Sequence, residues 1–344
     1  MNGNNKLPTI NDVAELSGVS KRTVSRVINH SPKVNEATRT RVQEVIDQLN
    51  YAPNRQARGL AASRSYLLGL IYDVPTLFIA DIQKGILNVC DDAGYELVVH
   101  ACHIESDNLV EDVTRFVNRA HLDGVIILPP VSDIKGLAES LDKAGCRYVR
   151  IMSALGDEPW KQVVTDYLPG AMEMTSHLVD LGHREFGFIS GPRTNVSSQM
   201  RHEMFVQALA RYGLEMSPEM VVEGNFTFQS GIDSARKLLS LERRPTAIFA
   251  GNDEMAFGVM NVAHEMGLKI PRDLSLVGFD GTSFSTFVVP SLSTIIRQTD
   301  EMSRLGTQKL LAQIDEGPEA ARGFETMVSS RFIPRESTGP VPSR

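Results

Sequence analysis

From Tyr66 to Phe279 the chain alternates short apolar runs with amphipathic segments of helical period, and this alternation limits the fold more than any other feature. Strands are expected over Tyr66–Ile71, Glu96–His100, Gly124–Leu128 and Arg147–Ile151, with helices over Ala80–Ala93, Asn108–Arg119 and Ile134–Ala144 between them. The pattern then starts again. Helix Gly170–Leu181, strand Phe186–Ile189, helix Val196–Tyr212 and strand Met220–Glu223 lead into helix Phe228–Ser240, strand Ala247–Ala250, helix Asp253–Met266 and strand Leu274–Phe279. Strands separated by helices pair in parallel, because a parallel neighbour is reached only by a crossover, and such sheets are covered on both faces. Two runs of the pattern imply two Rossmann-like subdomains. Ligands bind beyond the carboxyl ends of strands in sheets of this kind, so two facing sheets make a cleft.

Polar residues gather at those ends. Tyr72 and Asp73 follow the first strand, Arg150 closes the fourth, Gly251-Asn252-Asp253 follow Ala247–Ala250, and Asp280 follows Phe279. Asn and Asp present donors or acceptors at fixed geometry, which suits vicinal hydroxyls. They also have a local use: Asp253 or Asp280 can cap the helix or turn that comes next.

The first 64 residues differ in kind. They hold ten Lys/Arg and five Asp/Glu, a net +5, while the rest holds 25 and 37, a net −12, giving −7 in all. Basic charge confined to one end points to a nucleic-acid surface there. Thr9, with Asp12 three residues on, sets a capping box before an apolar stripe of Ile10, Val13, Ala14 and Leu16. Gly18 breaks this helix, and Ser20 can cap a second one. In the second helix Val24, Val27 and Ile28 face inward, while Lys21, Arg22, Thr23, Ser25, Arg26 and Asn29 take the other faces. A third helix over Glu36–Leu49 adds Val42, Val45, Ile46 and Leu49, and Asn50 stops it. The result is an all-α helix-turn-helix domain over residues 1–50. Arg and Lys on the outer face can donate to guanine O6 and N7 or to phosphate. Residues 51–65 read as a hinge, with an inert linker as the alternative on these residues alone. Pro53 suits a first helical turn, but a helix of about nine residues containing Gly59 is marginal alone, so it is expected to form against DNA. Leu60 has no core to join there and is shaped to wedge between base pairs in the minor groove.

Thr9-Ile10-Asn11-Asp12-Val13-Ala14, Gly18-Val19-Ser20, Thr23-Val24-Ser25-Arg26-Val27-Ile28-Asn29, Leu49-Asn50-Tyr51, Pro53-Asn54 and Leu60-Ala61 together resemble the headpiece of the LacI/GalR family of bacterial transcription regulators. More weakly, the resemblance runs along nearly the whole chain, whose larger part is similar to periplasmic sugar-binding proteins. It implies an all-α helix-turn-helix headpiece plus an α/β periplasmic-binding-protein-like core of two Rossmann-like subdomains. It also implies a homodimer on a pseudo-palindromic operator in double-stranded DNA, with paired hinge helices kinking its centre. Carried onto this chain, Lys21 and Arg22 take the major-groove specificity positions, Thr23, Arg26 and Asn29 further operator contacts, and Leu60 the minor-groove lever. Thr9, Ser20, Ser25, Asn54 and Ala57 complete the expected DNA-binding set.

In the larger part Gly191-Pro192, Arg201, Asn252-Asp253, Gly278-Phe279-Asp280 and Gln298 match the family's motif positions. The match implies that Arg201, Asn252 and Asp280 contact the effector, with Phe226 as a stacking wall and Ser197 and Gln298 beside them. Leu128 and Ile151 stand where sugar-responsive members place Asn and Asp, so Tyr72, Asp73, Phe78 and Arg150 are the candidates for that half of the site. An aromatic lining with Asp, Asn and Arg suits a carbohydrate. Residues 66–344 are thus expected to bind effector and dimerise. The N-subdomain would span about 66–165 and 296–325, the C-subdomain about 166–295 and 326–338. The implied function is that of a transcriptional repressor of carbohydrate-utilisation genes, with operator affinity controlled allosterically by a small molecule.

Other classes fit less well. There is no GxxxxGK[ST] loop, GxGxxG after a strand, GxSxG elbow or HExxH, and His202-Glu203 and His264-Glu265 lack the second histidine of the last motif. No enzyme, cofactor or metal is expected. Cys90, Cys102 and Cys146 are widely spaced and read as small buried hydrophobes in a reducing compartment. No apolar run approaches the ~20 residues of a membrane span, and no signal peptide is seen, so a cytoplasmic location is expected. No leucine heptad follows Arg331–Thr338, which favours a dimer over a tetramer. A solute-binding protein would match the larger part alone, but not the headpiece. An architectural DNA binder would have no use for a large domain with clustered polar strand ends.

Overall fold

The computed structural model describes residues 8–28, 31–51, 64–153 and 156–343. The chain divides into two compact units after Tyr66.

The first unit contains α1 (Ile10–Ser17), α2 (Lys21–Ile28) and α3 (Glu36–Leu49). Asp12 Oδ2 accepts from both the Thr9 backbone N–H (2.6 Å) and its hydroxyl (2.7 Å), so the capping box forms. Gly18 ends α1 at φ 67°, where its own N–H and that of Val19 close the last turn on Glu15 and Ala14. Val13, Ala14, Val24, Val27, Val42, Val45 and Tyr51 are buried together. Ile10, Ile28, Ile46 and Leu49 pack against them partly buried, and one expected core residue does neither. Leu16 is 59% exposed, and Ser17 takes the inward position, with its hydroxyl donating to the Val13 carbonyl at 2.6 Å. The helical period from Val13 and Ala14 reaches position 17 and passes 16 by.

The second unit holds two six-stranded sheets. The first is built from β1 (Leu67–Tyr72), α4 (Leu77–Ala93), β2 (Glu96–Ala101), α5 (Leu109–Ala120), β3 (Gly124–Ile127), α6 (Leu137–Lys143), β4 (Arg147–Ile151) and β5 (Gln162–Asp166). The chain then crosses over. It forms α7 (Leu168–Asp180), β6 (Phe186–Ser190), α8 (Val196–Ala210), β7 (Val221–Glu223), α9 (Phe228–Leu239), β8 (Ala247–Ala250), α10 (Asp253–Glu265), β9 (Ser275–Asp280) and β10 (Ser293–Ile296) of the second. It returns through Arg297 and Gln298 into α11 (Thr299–Asp315) and β11 (Met327–Ser329), and crosses a last time into β12 (Arg331–Ile333). Strand orders are β11-β5-β4-β3-β1-β2 and β12-β10-β9-β8-β6-β7. The pairing is parallel, except that β12 runs antiparallel to β10. This is the expected doubly wound α/β architecture. The expected return to the C-subdomain at residue 326 comes later, because Met327 pairs with Val164 and Ser329 with Asp166 in the first sheet. Residues 293–296 belong to the second sheet, and the chain beyond 338 still packs there, with the Val341 N–H bonded to the Leu181 carbonyl at 2.9 Å.

The central strands are buried along their length, as strands covered on both faces must be. Phe186, Phe188, Phe205, Phe249 and Phe279 fill one side of the second sheet. In the first, Ile71, Val113, Phe116, Val125, Ile127 and Tyr148 do the same. Helix α11 lies close against β4: a Cβ on Gly306 would sit 2.7 Å from Ile151 Cδ1.

Helix α11 also carries a cation into the first subdomain. Lys309 is fully buried. It donates to the carbonyls of Pro159 (2.8 Å) and Gln162 (2.8 Å) and to Thr326 Oγ1 (3.0 Å), all neutral oxygens. Burial pushes its ammonium down to about 8. The folded chain therefore holds this proton less tightly than the unfolded chain, and stability should rise as pH climbs from about 8 toward 10.5. Urea midpoints measured through this window should increase in the parent relative to Lys309→Met. A constant offset between the two would show that Lys309 does not titrate there.

Candidate functional site

Two surfaces concentrate the expected residues. The first is α2. Ser20 caps it, with Oγ accepting from the Thr23 N–H at 3.2 Å and sharing a 2.9 Å hydrogen bond with the Thr23 hydroxyl. Val24 and Val27 are buried, Lys21 and Arg22 are exposed, and Ser25 and Arg26 are partly exposed. At about 100° per residue, Lys21, Arg22, Ser25 and Arg26 share one arc of roughly 140° opposite the two valines. A capped, anchored helix thus carries three cations and a hydroxyl on its free face. Thr9 stands at the start of α1, bound to Asp12. Asn29, Asn54, Ala57 and Leu60 lie outside the described residues.

The second surface is centred on Asp280, at the carboxyl end of β9. Its backbone has φ 113°, a strained value for a residue with a side chain. Its Oδ1 lies 2.6 Å from an Arg297 nitrogen and 3.8 Å from an Arg201 nitrogen. All three side chains are 5–7% exposed. Arg201 comes from α8 and also donates to the Gly251 carbonyl. Burial first, against the pull of Asp280, brings its guanidinium down to about 10. The Nε atoms of Arg201 and Arg297 are buried without a hydrogen-bond partner, so each can serve an acceptor on a ligand.

Aromatic rings separate the cations. The Arg201 guanidinium lies 4.2 Å from the Phe279 ring centre and 5.2 Å from that of Phe226. That of Arg297 lies 3.7 Å from Phe78 and 5.6 Å from Phe279. Phe226, Arg201, Phe279, Arg297 and Phe78 therefore form one alternating series, which starts in the second subdomain and ends on α4 of the first. Arg297 also donates toward Met152 Sδ at 2.9 Å, beyond β4. Gly191 is required here because the Phe226 ring fills the space a Cβ would take.

The remaining candidates have other partners. Asn252, rather than Asp253, caps α10: its Oδ1 accepts from the Met255 N–H (2.9 Å) and its Nδ2 donates to the Phe226 carbonyl (2.8 Å). It thereby positions the aromatic wall. Asp253 is wholly buried, accepting from the Thr282 N–H and hydroxyl and from the Thr294 hydroxyl. Burial, then the charge of Asp280, raises it to about 7. Ser197 is buried one turn before Arg201. The Gln298 amide donates to the Ser329 carbonyl at 2.8 Å, tying two crossovers together. In the first subdomain, Tyr72 and Phe78 are buried. Asp73 accepts from the Ile104 N–H. Arg150 pairs with Asp157 at 3.4 Å, beside Tyr148. Arg297 was not among the expected residues. Its only signal in the sequence is a cation placed directly after the apolar run Thr294–Ile296.

One carboxylate here serves two buried guanidinium groups. Asp280→Ala would leave both without a counter-charge, and loss of one partner of a buried pair typically costs about 3–5 kcal/mol. Denaturant melts of the variant should show a loss on this scale, and Arg297→Met in the same chain should restore part of it. A melt unchanged by Asp280→Ala would contradict this account of the cluster.

Residues 9–54 match the sequence profile described as bacterial regulatory proteins, lacI family, and residues 175–338 match that of the periplasmic binding protein-like domain. The chain is 32% identical over 336 residues to the probable HTH-type transcriptional repressor ExuR of Bacillus subtilis (strain 168), covering 96% of this chain and 98% of that one. It is 34% identical over 291 residues to catabolite control protein A of Priestia megaterium, covering 84% and 87%. Among solved structures, the Lac repressor dimer bound to operator and the anti-inducer ONPF superposes with a TM-score of 0.76 at 27% identity, over 97% of this chain and 100% of that one. The transcriptional regulator CelR in complex with cellobiose gives 0.68 at 28% identity, over 96% and 99%.

Proposed function

The chain belongs to the LacI family of bacterial transcription regulators, and we propose that it is a dimeric repressor of carbohydrate-utilisation genes whose operator affinity is set by a small sugar-like ligand held at Asp280. It acts by binding rather than by catalysis, in the cytoplasm. No helix among the described residues is long and apolar enough to cross a membrane. Relatives with operator DNA, cellobiose or an anti-inducer named in their structures support the two kinds of partner.

The observation that carries the reading is the pairing of a free basic face on α2 with a buried polar cluster at the strand ends of the second unit. Lys21 and Arg22 read base edges in the major groove, and Thr9, Ser20, Thr23, Ser25 and Arg26 fix the register on phosphates. Asn29, Asn54 and Ala57 extend the contact, and Leu60 acts as the minor-groove wedge. In the cleft, ligand hydroxyls bond to Asp280, ligand oxygens accept from Arg201 Nε, and Phe226 covers an apolar sugar face. Tyr72, Asp73, Phe78 and Arg150 close the site from the first subdomain. Ser197, Asn252 and Gln298 support it from the second.

Arg297 links occupancy to shape. It is ion-paired with Asp280 in the second subdomain and stacked on Phe78 in the first. A ligand that engages Asp280 competes for that carboxylate and shifts Arg297 relative to Phe78, moving one subdomain against the other. In a dimer this alters the spacing at which two reading units meet successive major grooves. The effect is reciprocal: operator must change ligand affinity by the same factor. Release of DNA on ligand binding is the direction proposed.

Selection of operator sequences from a random duplex pool tests the reading. The parent should enrich a pseudo-palindrome, and Arg22→Ala should relax preference at one position in each half-site. Uniform weakening at all positions would make Arg22 a phosphate contact instead. Gel shifts on the selected site, run with a panel of neutral sugars and sugar phosphates, should show release by one class. Release should be lost in Arg297→Met while operator affinity without ligand stays within about threefold. A variant that still releases normally would remove Arg297 from the coupling.

A further inference from the structure

Outside the Asp280 cluster, one group of mixed donor atoms is gathered by the fold of the first subdomain. His100 lies on the edge strand β2, and Cys102 lies two residues on, just past its end, so both side chains fall on the face covered by α5. Asp112 projects from the first turn of α5. One ligand atom from each of the three lies within 4.8 Å of the other two, and His100 Nε2 is 2.8 Å from Asp112 Oδ2. We propose that His100, Cys102 and Asp112 form a binding site for one divalent transition metal, zinc by the chemistry of its donors, with a fourth position open to water.

The dimensions are close to those required. Zinc takes nitrogen and oxygen at about 2.0–2.2 Å and sulfur at about 2.3 Å, which places tetrahedral donors roughly 3.3–3.6 Å apart. The histidine and aspartate need to part by about half an ångström and the thiol to close by about one, within the reach of side-chain rotation. The imidazole is already oriented: it stacks on Phe116 with ring centres 4.3 Å apart and planes 9° apart. Asp112 is 48% exposed in its side chain, which leaves an entry path.

The electrostatics favour a cation. Burial, and then the charges of Asp112 and Asp73, push the Cys102 thiol up to about 12. The charges of Asp112 and Asp73, which oppose a second free anion there, attract a dication. Binding would transfer the Cys102 proton to solvent and leave a thiolate, a carboxylate and a neutral imidazole around Zn²⁺, with no net charge. A thiolate beside an imidazole selects zinc over magnesium or calcium, which take oxygen donors. The metal would pin the edge strand β2 to α5, where a hydrogen bond now joins them.

The full chain, stripped with chelator and desalted, is titrated with Zn²⁺ and separately with Co²⁺. One zinc per chain should survive gel filtration, with release of about one proton per metal. The cobalt form should show a thiolate charge-transfer band in the near ultraviolet. Cys102→Ser and Asp112→Asn should each weaken zinc binding about tenfold or more, with melts in chelator matching the parent. Absence of stoichiometric zinc, or affinity unchanged in both variants, overturns the site. Should a variant misfold, the cobalt spectrum of the parent decides: without the thiolate band, Cys102 is not a ligand.

Discussion

A single carboxylate, that of Asp280, holds two guanidinium groups in a place nearly closed to water, and much of the second unit is arranged around that requirement. A buried charge persists only when paired. Arg201 must therefore reach it from α8, and Arg297 from the crossover after β10, with both ion pairs ending on the same oxygen. Three aromatic rings fill the spaces around the cations and keep water out. The backbone bends to allow this. Met152, Phe226, Asp280 and Gln298 all have positive φ without being glycine, and all four belong to the cluster or the segments touching it. Strain gathered at one place persists there only because the packing around it holds it.

The crossovers explain why Arg297 matters more than its neighbours. Three segments join the subdomains: after β5, after β10 and after β11. A side chain on one of them belongs to neither body and can contact both. Arg297 does so, whereas the Gln298 amide is committed to the Ser329 carbonyl on the next crossover. Lys309 adds a contrasting device in the first subdomain alone. Its three neutral acceptors come from the Pro159–Gln162 segment and from Thr326, so it fixes the chain leading into two crossovers without linking the two subdomains.

How far the sequence discloses this depends on the range of the interactions. The helix-turn-helix is legible because its signals are local: Thr9 with Asp12, Gly18, Ser20 with Thr23, and a valine period that closes on itself. Even there, Leu16 reads as core when the period places Ser17 inward. The strands that alternate with helices are legible as apolar runs. Gln162–Asp166, Ser293–Ile296, Met327–Ser329 and Arg331–Ile333 are not. They are three to five residues long, and their pairing is set by distant partners. Helix Thr299–Asp315 is hidden for a different reason. It buries polar side chains, Lys309 and Gln313 among them, so its inward face does not look apolar. In the site, Asp280 and Arg201 could be named from their motif positions. The position of Arg297 between Phe78 and Asp280 could not, because only the tertiary fold brings those two side chains together.

The same distinction separates the caps from the contacts. Asn252 and Asp253 are adjacent, and either could have capped α10. The fold gives the cap to Asn252, whose amide has a donor left for the Phe226 carbonyl. It gives Asp253 to Thr282 and Thr294, where three donors surround an anion-capable group. Had the roles been exchanged, the aspartate could not have donated to Phe226. The ring that covers Arg201 would then have lost its tether. A one-residue choice in capping therefore decides whether the aromatic wall beside Arg201 is held by a side-chain hydrogen bond.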